Sequence, residues 1–133
     1  MTPTITLLYA GLSALILLGL SARVVALRRR HQVGIGTGSI NTLERAVRAQ
    51  ANFTEYVPLA LLVIALLELN GLGAWAVHAF GAVLVLARLL HALGLNRSAG
   101  TSMGRFVGTL LTWLVLLAAG VIAIGMAVVQ VPG

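Results

Sequence analysis

The stretch LERAVRAQANFTEYVPLALL, residues 43–62, decides the fold. It sets Glu44, Arg45, Arg48, Gln50, Asn52 and Glu55 directly against an apolar run long enough to enter a bilayer. An ionised side chain near the bilayer centre costs about 2.5–3.5 kcal/mol on insertion scales, so these residues cannot face lipid. They must face protein, water or a polar ligand. At about 100° per residue, Arg45, Arg48, Asn52, Glu55 and Tyr56 share roughly a 100° sector of one helix. Two guanidiniums, an amide, a carboxylate and a phenol on one face suit a small zwitterionic molecule with more than one carboxylate.

Composition places this helix in a membrane protein. Of 133 residues, 59% are hydrophobic and 9% charged, against roughly 25% charged in soluble domains. Mean hydropathy is +1.03. The length suits one domain. There are nine Arg, no Lys, three Glu and no Asp, giving a net charge of +6. Such a balance can signal nucleic-acid binding. Here the arginines cluster beside apolar spans, so membrane orientation and ligand binding explain them and no nucleic acid is expected. Without cysteine there is no disulfide, protein thiolate or Cys-based metal site. His31, His78 and His91 lack metal-ligand spacing, and no metal is expected. Met1 to Thr4 carries no basic residue, so the first apolar segment reads as a retained helix rather than a cleaved signal.

The expected fold is all-α, a four-helix integral membrane bundle in a single domain over residues 1–133, with helices at about 5–27, 42–69, 73–93 and 103–129. Arg28-Arg29-Arg30-His31 is expected to stop the first helix, and Val33 to Ser39 forms a loop. Its GxGxG pattern follows no strand and is not a dinucleotide fingerprint. Asn41 is expected to cap the second helix, with Glu44 completing a capping box. Pro58 lies inside that helix, and Asn70-Gly71 makes the turn to the third. Gly94 to Gly104 is expected to be a loop. Phe106 to Val129 is uncharged and long enough to span the hydrocarbon. Gly104 and Gly108 stand four apart, a spacing that permits close helix approach. Trp75 and Trp113 read as interface anchors or packing residues.

Arginine placement predicts orientation. Arg28, Arg29 and Arg30 fall in the first connection, Arg97 and Arg105 in or beside the third, and none in the second. The positive-inside rule then puts both basic connections in the cytoplasm and both termini outside it. Polar groups of the second, third and fourth helices meet at that level. Their confinement to one membrane half argues against a small transporter.

Glu44 to Pro58, with its E-R-x-x-R-x-x-x-N-x-x-E-x-x-P pattern opening a membrane helix, resembles the second-helix signature of the MAPEG family, the membrane-associated proteins of eicosanoid and glutathione metabolism. Arg28-Arg29 before the first loop, Ala87-Arg88 in the third helix and Arg97-Ser98 in the second basic connection add to the likeness. The abundance of Ala, Leu, Arg and Gly suggests a bacterial member in the inner membrane.

The resemblance implies a homotrimer of four-helix bundles, with glutathione as co-substrate bound between subunits near the cytoplasmic side. It implies ligand contacts from Arg48, Asn52, Glu55 and Tyr56 of one subunit, from Arg28 and Gln50 of its neighbour, and from Arg88 and His91 of the third helix. It further implies a catalytic arginine opening the fourth helix, for which Arg105 is the candidate. Two departures stand out. The family's tyrosine four residues beyond the His91 position is Leu95 here. Arg105 also falls about three residues, nearly one turn, later than the pattern predicts. Ser98, Thr101 and Ser102 are alternative groups to face the thiol.

Arginine forks match carboxylates, Glu55 suits an ammonium, and Asn52 has both donor and acceptor. A nearby arginine favours the thiolate of a thiol whose ordinary pKa is ~8.5. The implied activity is a membrane glutathione transferase or glutathione-dependent peroxidase acting on lipophilic electrophiles or hydroperoxides, with membrane lipids as neighbours. The alternative is a non-enzymatic lipid-binding or scaffold protein of the same fold. On the residues alone, Glu44 and Arg48 also make an i,i+4 pair, and Glu55 a buried structural partner.

Overall fold

The computed structural model describes residues 2–97 and 102–130. The described residues form four helices: α1 Thr4–His31, α2 Asn41–Leu69, α3 Ala74–Arg97 and α4 Met103–Gln130. All four contain a segment long and apolar enough to cross a membrane. They run up and down, so the C-terminal ends of α1 and α3 and the N-terminal ends of α2 and α4 lie at one end, the basic end. Among the described residues α1 packs on α2 and α3, α4 packs on the same two helices, and α1 does not touch α4.

The inner face of α2 follows from its sequence. Leu43, Ala46, Ala49, Phe53, Val57, Ala60, Ile64 and Leu67 are all buried. Their spacing of three and four residues is the stripe that an antiparallel bundle requires. Ala60 and Ile64 meet Val77 and Leu84 of α3 and Val115 of α4 in the core. Nearer the basic end Leu43 and Ala46 pack with Val24 of α1.

Helix ends differ from expectation in three places. The first helix does not stop at Leu27 but continues through Arg28-Arg29-Arg30-His31. Basic side chains in a last turn interact favourably with its exposed carbonyls, so the arginines prolong the helix. Gln32, at φ 57, closes it in the left-handed region, and the Val33 amide donates to the Arg28 carbonyl at 3.0 Å. At the start of α2 there is no capping box: Ile40 occupies the cap position without a side-chain bond. Asn41 and Glu44 instead line a cavity described below. The third helix extends past Leu93 to Arg97, so Gly94 to Arg97 is helical rather than loop.

The α2–α3 turn forms as its residues dictate. Gly71 takes φ 89, its amide donates to Glu68 O at 3.1 Å, and the Leu72 amide donates to Leu67 O at 2.9 Å. This paired closure requires a left-handed residue, and glycine adopts it without strain.

Candidate functional site

Glycines set the site by drawing α3 and α4 together. A methyl added at Gly108 would lie 2.5 Å from Ala87 O and 2.8 Å from both the backbone nitrogen and Cβ of His91. At Gly104 it would lie 2.9 Å from Leu90 O, and at Gly94 2.6 Å from the Arg105 nitrogen. No side chain fits between the backbones at these points, so the Gly104/Gly108 spacing does mark a close crossing. Ser102 caps α4, its Oγ accepting from the Arg105 amide at 3.3 Å. The first turn of α4, with Arg105, is thereby fixed against the end of α3.

A cavity of about 400 Å³ opens at the basic end. Its walls are Asn41, Glu44, Arg45, Arg48 and Asn52 of α2, His91 of α3 and Arg105 of α4. Three guanidiniums against one carboxylate give it a net positive character. Its volume falls within the usual range for small-molecule sites, about 300–1,000 Å³.

Of the residues singled out from the sequence, Arg48, Asn52, His91 and Arg105 line this cavity. Despite its late register, Arg105 reaches the same space as His91. Arg45, which shares the polar sector of α2, lines it too. The other five lie elsewhere in the single chain. Arg88 is buried, and its Nη1 donates to Asn52 Oδ1 at 2.6 Å and its Nη2 to Gly108 O at 3.1 Å. The Tyr56 ring lies under that guanidinium, 5.8 Å from centroid to Cζ. Glu55 is exposed on the outer side of α2. Gln50 donates to Ser21 Oγ of α1 at 2.8 Å. Arg28 ties down its own loop, donating to the carbonyls of Gly36 at 2.9 Å and Gly34 at 3.2 Å. The Leu95 side chain, Ser98 and Thr101 lie outside the described residues.

Sequence reasoning missed Asn41, whose capping role was the more local reading. It also missed a polar cluster at the opposite end of the bundle. There Glu68 of α2 accepts from the amides of Ile5 and Thr6 at 2.8 and 2.7 Å and from the Thr6 hydroxyl at 2.6 Å. These are the N2 and N3 amides that an N-cap residue would serve, and Pro3 at the cap position makes no side-chain bond. The Tyr9 hydroxyl bonds His78 Nδ1 at 3.0 Å, with the rings edge to face. Polar groups are therefore not confined to one half of the bundle. Those at this end bind helices to each other. The two tryptophans pack little within the chain: Trp75 is 88% exposed and Trp113 55%.

Four long apolar helices, three of which wall a polar, positively charged cavity, define a multi-pass integral membrane protein with a small-molecule recess near one end. The chain belongs to the MAPEG family, which it matches over residues 6–125. Among its relatives is the inner membrane protein YecN of Escherichia coli (strain K12), 38% identical over 113 residues that cover 85% of each chain. YecN of Escherichia coli O6:H1 shows the same identity and coverage.

Proposed function

We propose that this protein is a glutathione transferase or glutathione-dependent peroxidase of the bacterial inner membrane, working as a homotrimer on lipophilic electrophiles or hydroperoxides. The carrying observation is the cavity in which Arg45, Arg48, Asn52, His91 and Arg105 converge from three helices. Arg45 and Arg48 supply forks for the carboxylates of glutathione. Arg105 supplies a permanent positive charge at the first turn of α4, where a helix N-terminus adds its own partial charge in favour of a thiolate. The thiolate then attacks an electrophilic carbon and expels its leaving group. With a hydroperoxide it attacks the terminal oxygen, releasing an alcohol after protonation. The resulting sulfenic acid condenses with a second glutathione to give disulfide and water.

Exposure on α2 supports assembly. Arg48, Glu55, Leu59, Leu62 and Leu66 are exposed and share a stripe about 60° wide. Glu55 lies thirteen residues before Glu68, about 20 Å along the helix, well within a hydrocarbon layer of about 30 Å. A carboxylate there is covered by protein or ligand, and a second copy of the chain supplies both at once. Arg28 and Gln50, which do not reach their own cavity, stand on the helices that a neighbour would present. The basic connections face the cytoplasm and both termini lie outside it, in keeping with the positive-inside rule; the relatives named for the inner membrane support the choice of membrane.

Calorimetric titration of glutathione into the detergent-solubilised protein tests the reading. Binding is expected, and Arg48→Ala or Glu55→Ala weakens it by more than about tenfold, as loss of a desolvated charged contact does. Unchanged affinity in both folded variants rejects the site. A protein that binds lipid but no glutathione is instead the scaffold alternative.

A further inference from the structure

Arg88 has the chemistry of a ligand-binding arginine but not the position of one. It is 2% exposed and is absent from the cavity wall, whereas Asn52, its partner at 2.6 Å, lies on that wall. Its second terminal nitrogen is spent on Gly108 O, itself buried in the α3–α4 crossing. Its third nitrogen, Nε, is buried and has no hydrogen-bond partner among the described residues. A guanidinium offers donors only, so the amide end that faces it must be the oxygen. The opposite amide orientation would set donor against donor. With Oδ1 held by Arg88, the end of Asn52 left for the cavity is its NH2 group.

We infer that Arg88 is a positioning residue: it fixes the Asn52 amide as a hydrogen-bond donor toward the cavity, selecting an acceptor on the ligand, a carboxylate or carbonyl oxygen rather than the ammonium. The inference rests on the glutathione reading above and deepens it. It divides the labour in the site. Asn52 joins Arg45 and Arg48 on the side that recognises negative oxygen, Arg105 serves the thiol, and the ammonium is left to the Glu55 carboxylate of the exposed stripe. The same guanidinium lies over the Tyr56 ring, 5.8 Å from its centroid.

A double-mutant cycle with a charge-altering control tests this, with glutathione affinity and thermal stability read on each folded variant. Arg88→Met is expected to weaken glutathione about tenfold or more, because the amide loses its anchor. In an Asn52→Ala background the same substitution is expected to change affinity by less than about twofold, because nothing remains for Arg88 to orient. Multiplying effects overturn the inference, since they mean that Arg88 touches the ligand itself or acts on the site only through general stability. Asn52→Asp keeps an oxygen for Arg88 and removes the NH2, so it is expected to hold or raise stability while abolishing binding. Binding of glutathione by Asn52→Asp at the level of the unsubstituted protein overturns the inference even if Arg88→Met fails to fold. No binding by the unsubstituted protein overturns the functional reading as well. Normal binding with multiplying effects overturns the positioning role alone.

Discussion

Gly108→Ala puts the α3–α4 crossing under a defined load. The added methyl would stand 2.5 Å from Ala87 O and 2.8 Å from His91 N, both backbone atoms that cannot turn aside. Relief to an ordinary contact of 3.4 Å requires α3 and α4 to part by about 0.9 Å locally. Overpacking of this kind costs about 1–3 kcal/mol. Parting also stretches the bond from Arg88 Nη2 to Gly108 O, 3.1 Å long, past hydrogen-bonding range. A bond to a charged group contributes about 1.5–3 kcal/mol. Against this, replacing a helical glycine by alanine gains up to about 1 kcal/mol. The expected net loss is about 1.5–5 kcal/mol, read as equilibrium unfolding in mixed micelles of mild detergent and dodecyl sulfate. Gly120→Ala and Gly125→Ala, on the same helix with nothing within 4 Å of the new methyl, are the controls and should be neutral or slightly stabilising. Equal stability of Gly108→Ala and these controls would refute the close crossing, and with it the placement of Arg105 beside α3.

Two further outcomes are expected. Glu68→Gln leaves a neutral amide that cannot accept with both ends, so the three bonds to Ile5 and Thr6 fall to at most two, weaker ones. A loss of about 1–3 kcal/mol should appear as faster hydrogen exchange confined to the first turn of α1, and unchanged protection there would count against the cap. Arg105→Leu should move the ultraviolet thiolate band of bound glutathione to higher pH with affinity within a few-fold, and His91→Phe should move it less, because arginine is charged at every working pH while a neutral imidazole offers only a hydrogen bond. The reverse order would transfer thiol activation to α3.

Hydropathy is a local property, and the four helices and the polar opening of α2 were therefore legible in order along the chain. Helix ends were less so. Arg28 to His31 looked like a stop because four basic residues leave the apolar phase, yet a helix emerging from a bilayer has no reason to unwind there when its last carbonyls attract cations. Asn41 and Glu44 matched a capping box in spacing, but capping competes with whatever else those side chains can reach, and here they turn into the cavity. The helical wheel placed Arg45, Arg48, Asn52, Glu55 and Tyr56 together correctly as directions from one axis. A sector that wide has two edges. One edge meets α3, where Tyr56 lies against Arg88, and the other leaves Glu55 exposed. A wheel contains no neighbours, so it cannot separate them. Glu68 was beyond reach for the same reason: its partners lie more than sixty residues away in sequence.

Arg88 and Gly108 illustrate how the site and the fold constrain one another. A guanidinium buried within a membrane helix costs about 2.5–3.5 kcal/mol on insertion scales unless it is satisfied inside the protein. Arg88 finds its acceptors on two other helices, Asn52 of α2 and the carbonyl of Gly108 on α4, and the face of Tyr56 beneath it. The Gly108 carbonyl is within reach because residue 108 has no side chain to hold α4 away from α3. It already takes the Thr112 hydroxyl at 2.8 Å, so it is an acceptor shared by both helices. A larger residue at 108 would remove an acceptor from Arg88, and an apolar residue at 88 would leave Asn52 without its anchor. The bond that lowers the cost of burying the arginine is thus also the bond that orients an amide of the cavity wall. That is why a residue outside the cavity carries the same polar identity as those that line it.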